Sequence, residues 1–127
     1  MRKIVAILLI QLAMLGSAVP AELEVDDDMM RTIEDTMKSL DSNVAIKDVK
    51  AARAEARELA ELFARIEAYY ARKGDTPDAV GFARKTHDLA AQVLRAVDSQ
   101  DFDTASDTVE LFVKSCKACQ QVYKKDK

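Results

Sequence analysis

From residue 26 onward, apolar side chains recur at intervals of three and four, the spacing that lines one face of a helix. Met30, Ile33, Met37 and Leu40 form the first seam and predict a helix over 26–42. Asp26-Asp27-Asp28 suits its start, because carboxylates there cap open N–H groups and oppose the dipole. Ser42-Asn43 is the expected stop. Val49, Ala52, Ala56, Leu59, Phe63, Ile66 and Tyr70 predict a second helix over 46–72, with Lys50, Arg53, Arg57, Glu61 and Arg65 on its solvated face. Gly74 suits the cap that ends it, and Pro77 stands close to the next start. A third helix over 78–98 carries Phe82, Thr86, Leu89, Val93 and Ala96, widened by Ala79, Ala83, Ala90, Leu94 and Val97. After a short turn at Ser99-Gln100-Asp101, a fourth helix over 101–124 carries Phe102, Ala105, Val109, Phe112, Cys116, Cys119 and Tyr123. Four amphipathic helices with short links predict an all-α fold, an antiparallel up-down-up-down four-helix bundle.

The first residues do not continue this pattern. Met1-Arg2-Lys3 is a short positive block, Ile4 to Leu15 is apolar but for Gln11, and Gly16 to Ala21 is small and turn-prone. Val19 and Ala21 suit the −3 and −1 positions of a cleavage site, so residues 1–21 read as a secretory signal peptide and 22–127 as the bundle. The apolar run is well short of the roughly 20 residues that span a bilayer. The chain carries 19 Lys and Arg against 22 Asp and Glu, and the leader holds Arg2 and Lys3 but no acid. An acidic domain without a basic block is not expected to bind nucleic acid, nor, once the leader is removed, a membrane. The leader implies export from the cytosol to a compartment where an exposed cysteine pair would tend to oxidise unless a metal or cofactor holds it.

Both cysteines lie in Lys-Ser-Cys-Lys-Ala-Cys-Gln-Gln-Val-Tyr-Lys-Lys, residues 114–125. Cys116 and Cys119 are spaced Cys-x-x-Cys, and Gln120 stands where a c-type haem attachment motif has its histidine. The two cysteines are consecutive seam positions of the fourth helix and so point inward. Gln120 follows Cys116 by four residues and shares its side of the helix. A cofactor held by both sulfurs would place its centre near the residue-120 side chain.

This segment, with its flanks, resembles the C-terminal segment of the cytochrome c-prime (class II c-type cytochrome) family. The resemblance extends over the whole domain. The Met30-Ile33-Met37-Leu40 seam and the turn from Asn43 to Asp48 are similar to those of the related soluble four-helix b-type cytochrome of the periplasm. It implies a haem c held by Cys116 and Cys119, Met30 as an axial iron ligand, electron transfer with a redox partner protein or binding of a small haem ligand, and pairing as homodimers through helix faces. The departure is Gln120, which offers an amide oxygen where the family has an imidazole nitrogen.

Three readings of the site follow from its residues. One is a haem with altered ligation, Gln120 or water on one face and Met30 on the other. Another is a haem-free bundle acting as a binding or structural protein, with Cys116 and Cys119 as a buried pair or a disulfide. An i, i+3 bridge tends to distort a helix. The third is a soft-metal site in which Cys116, Cys119 and Met30 or Met37 hold Cu(I). His87, the one histidine, is expected on the flank of its helix. No Ser-His-Asp order, glycine-rich phosphate loop or His-x-x-x-His pair points to an enzyme. A thioredoxin-like role would want the cysteines at a helix N-terminus, where the dipole lowers a thiol pKa, and here they are near a C-terminus.

Overall fold

The computed structural model describes residues 25–125, leaving aside the side chains of residues 119, 122, 123 and 125. The expected signal peptide and cleavage site lie outside the described residues. Four helices follow one another: α1 (Asp27–Ala45), α2 (Val49–Lys73), α3 (Pro77–Asp98) and α4 (Phe102–Lys125). Each packs on its neighbours in chain order and α4 returns to α1, which closes an antiparallel four-helix bundle. No strand occurs among the described residues.

The helix ends explain the short links. Asp26 caps α1 by accepting from the Met29 N–H at 2.8 Å, and Asp48 caps α2 by accepting from Ala51 at 3.1 Å. Asp101 does the same for α4, accepting from both the N–H and the hydroxyl of Thr104. The α1–α2 and α3–α4 turns are built alike. Lys47 and Gln100 take left-handed backbone angles, φ 59° and 55°. The next N–H, of Asp48 or Asp101, then bonds back to Asn43 or Ala96 at 2.9 Å, so one helix is closed and the next is capped within three residues. The α2–α3 turn uses Gly74, φ 78°, followed by Pro77 at the first turn of α3.

The first link differs from expectation. The first helix runs on through Ser42 and Asn43 to Ala45, and Ile46 is not the start of α2 but an exposed turn residue, 72% accessible. Ser42 does not end the helix because its hydroxyl bonds back to the Lys38 carbonyl one turn earlier. Asn43 is likewise held in helix, by Glu55 across the interface.

The buried residues are the expected seams: Ile33, Met37 and Leu40 of α1; Ala52 to Tyr70 of α2; Ala79 to Val97 of α3; and Ala105, Val109, Phe112 and Cys116 of α4. Val49, Phe82, Leu94 and Phe102 are half-buried at the seam edges. The helices do not approach equally. α2 and α3 pack most closely, and both bury alanines, Ala52 and Ala56 on α2 and Ala79, Ala83 and Ala90 on α3, whose single methyl groups let backbones come near. α1 meets α2 and α4 through larger residues, Ile33, Met37, Leu40 and Val44, and stands farther off.

Candidate functional site

Antiparallel order brings the first turns of α1 and the last turns of α4 to one end of the bundle. The end of α2 and the start of α3 close the same end. Met30 and Gln120 therefore share an end, on adjacent helices.

Cys116 is built into the core. Its position on α4 follows Phe112 by one turn, and only 1% of its surface is accessible. Phe112 meets Phe63 of α2 edge to face at 5.8 Å between ring centres, which fills the interior just before the cysteine. Beside it, the Ser115 hydroxyl lies 2.6 Å from that of Thr86 on α3, and the Thr86 hydroxyl also reaches the Phe82 carbonyl at 2.7 Å. This buried hydroxyl pair ties α3 to α4 at the level of the cysteine. The Cys119 side chain, and that of Tyr123, lie outside the described residues.

Gln120 is half-buried, and its amide Nε2 is enclosed with no hydrogen-bond partner among the described residues. Met30 is half-buried against the core. Nearby on the same end, a recess of about 310 Å³ is lined by Tyr70, Ala71, Gly74, Thr76, Pro77 and Val80. The Thr76 hydroxyl is enclosed and unpartnered, and although Thr76 precedes α3 it does not cap it. Enclosed polar atoms without partners occur at three described side chains, Glu55, Thr76 and Gln120, and two of these are at this end.

Ile33, Phe63, Ile66, Tyr70, Phe112 and Cys116 are covered almost completely by protein, so a macrocycle beside the Cys116 sulfur would have to displace several of them. The donor opposite Met30 is an amide, a poor ligand for haem iron. The residues of this packing do not fit a conventionally ligated haem. For a soft metal, the described residues hold no group of three His, Cys, Asp or Glu, and Met37 is buried in the core on the α1 seam. His87 sits where expected, on the flank of α3, 36% exposed, its Nδ1 3.4 Å from Asp88. Tyr70 is buried and Tyr69 half-buried, their rings edge to face at 5.1 Å.

Sequence reasoning placed Thr86 on a seam but passed over Ser115, its partner. A threonine among apolar seam residues is the available signal, since a buried hydroxyl needs a bonding neighbour on the facing helix. It also passed over Glu55, which accepts from Asn43 at 2.5 Å and Ser39 at 3.0 Å and joins α1 to α2. Among the described residues no helix is long and apolar enough to cross a membrane. No family model, curated protein or solved structure matches the chain.

Proposed function

We propose that this chain is a periplasmic bundle of the cytochrome c-prime type with a degenerate haem site, working as a haem-free binding bundle. The carrying observation is the end of the bundle where Cys116 is sealed in a closed core and Gln120 stands one turn on. The amide of Gln120 is enclosed and unsatisfied among the described residues. The core needs no prosthetic group to fill it there. The orphaned amide and the orphaned Thr76 hydroxyl each favour a bound molecule that supplies hydrogen-bond partners, because an enclosed polar group left unpaired costs about 1–3 kcal/mol. The ligand class this end favours is small and polar, carrying acceptor oxygens for the amide and the hydroxyl.

A second reading keeps the haem, with Cys116 and Cys119 as its thioether anchors and Met30 beside it. The place of Met30 at the same end as Cys116 favours it, and the closed packing around Cys116 counts against it. Haem would supply a redox-active iron, and the activity would be electron transfer or small-ligand binding.

The test uses the full chain, secreted by its own leader in a host that matures c-type cytochromes. Intact mass and visible spectrum are recorded for the native protein and for Gln120→His. The native protein is expected colourless at its polypeptide mass, and Gln120→His is expected to gain haem. A Soret band surviving denaturation in the native protein, with a mass increase of one haem, would overturn the haem-free reading in favour of the second. Loss of about two mass units would mark a disulfide between the cysteines.

A further inference from the structure

A trough of about 360 Å³ runs between α3 and α4, lined by Phe82 and Leu89 of α3, Leu111 and Ala118 of α4, and two lysines, Lys85 and Lys114. It shares no lining residue with the recess at Thr76. Lys85 and Lys114 directly precede Thr86 and Ser115, the pair that joins the two helices. The lysines therefore stand on opposite walls of the trough at one level, and both are exposed. From Phe82 to Leu89 the trough follows two turns of α3, about 10 Å of helix. Its volume lies within the range of small-molecule sites.

The floor makes no polar demand. The Thr86 hydroxyl donates to the Phe82 carbonyl at 2.7 Å and lies 2.6 Å from that of Ser115, so both hydroxyls are engaged within the protein. The rest of the floor is apolar, and Leu111 at its lip is 53% exposed. The rim makes the opposite demand. No ion pair among the described residues engages Lys85. Lys114 meets Glu110 at 3.1 Å, but both are exposed and the pair is weak. Two lysines against one glutamate leave one positive charge in excess, in a chain whose net charge is −3.

We propose that the trough binds a free medium-chain fatty acid, its carboxylate between the Lys85 and Lys114 ammonium groups and its alkyl chain along Leu89 and Leu111. One carboxylate answers one excess charge, whereas a phosphate dianion would leave negative charge over. The lysine stems extend the apolar walls while their heads stay in water. An anionic bilayer is a poorer fit, because Asp103, Asp107 and Glu110 are exposed on the same helix and would be pressed against it. The site does not depend on what the cysteine end or the Thr76 recess holds.

The test is titration calorimetry of octanoate into the protein secreted by its own leader and freed of bound lipid, with helicity checked by circular dichroism. Octanoate is expected to bind one to one with a dissociation constant below about 1 mM, and more weakly as salt rises. Octanol, which has the chain without the charge, and acetate, which has the charge without the chain, should each bind at least about tenfold more weakly. K85Q/K114Q keeps the stems and removes the charge, and should weaken octanoate roughly tenfold. Ala118→Leu fills the trough without touching its charge, and should weaken octanoate by at least about fivefold at unchanged helicity. No saturable binding of octanoate up to about 1 mM, octanol binding as tightly, or either variant binding as the native chain does would overturn the proposal. Phosphatidylglycerol vesicles that sediment the native chain but not K85Q/K114Q would overturn it in favour of a membrane surface.

Discussion

At the scale of single residues, the buried contacts between α3 and α4 include one hydroxyl pair. Thr86 and Ser115 meet at 2.6 Å in a region otherwise lined by apolar side chains. Removing Thr86 takes the Ser115 hydroxyl's cross-helix partner, whereas removing Ser115 leaves Thr86 its bond to the Phe82 carbonyl. Thr86→Val is expected to destabilise by about 1–3 kcal/mol, because the Ser115 hydroxyl loses its cross-helix partner. The double variant Thr86→Val/Ser115→Ala is expected to cost less than the sum of the two single changes, since no polar atom is then left over. Urea melts of the four proteins measure the cycle, and strict additivity would contradict the coupling. Thr86 was legible in the sequence as a seam position and Ser115 was not. Serine is small and neutral to helix pattern, and only the facing threonine shows that it points inward. Cys116 was legible for the opposite reason: it continues an unbroken three-four spacing from Phe102 through Phe112.

At the scale of elements, the caps set where each helix begins. Asp101 illustrates the electrostatics. The Thr104 hydroxyl and then the Thr104 N–H both donate to its carboxylate, and together they hold its pKa below the usual carboxylate range. The folded value is therefore lower than the unfolded one. The cap's contribution is complete above the unfolded value and is lost as pH falls through the folded value. Asp101→Asn keeps an acceptor but no charge. It is expected to melt at a lower temperature at neutral pH and to converge on the native protein in acid, below the ordinary carboxylate range. Thermal melts between pH 2 and 7 test this, and parallel curves would contradict it. The left-handed residues Lys47 and Gln100 were hidden from the sequence, because such positions usually select glycine. Only Gly74 gave that signal, and it marked the one turn placed correctly by a cap residue. The extension of α1 to Ala45 escaped notice because serine and asparagine read locally as breakers, whereas Glu55 on another helix holds Asn43.

At the scale of the molecule, the bundle is uneven. α2 and α3 approach closely and bury alanines, while larger side chains hold α1 off. Close packing protects backbone hydrogen bonds along with side chains, so stability should follow the spacing. Native-state hydrogen exchange is expected to show interior α1 amides exchanging faster than those of α2 and α3. Uniform protection across the three helices would contradict this. The four-helix architecture could be read from periodicity because every seam is long and its links are short. The trough by Leu111 could not. Its width depends on how α3 and α4 are rotated against one another, and periodicity says which face is inside but not how tightly two edges meet.

The place of Cys116 also sets an order of events. It lies on α4, which follows the other three described helices in the chain, and it is sealed once that helix docks. Whatever is to react with that sulfur must reach it first. Its fate is then decided by a race between α4 docking and the reagent, not by affinity at equilibrium. Two identical chains that meet the reagent at different moments would keep different products for as long as they stay folded.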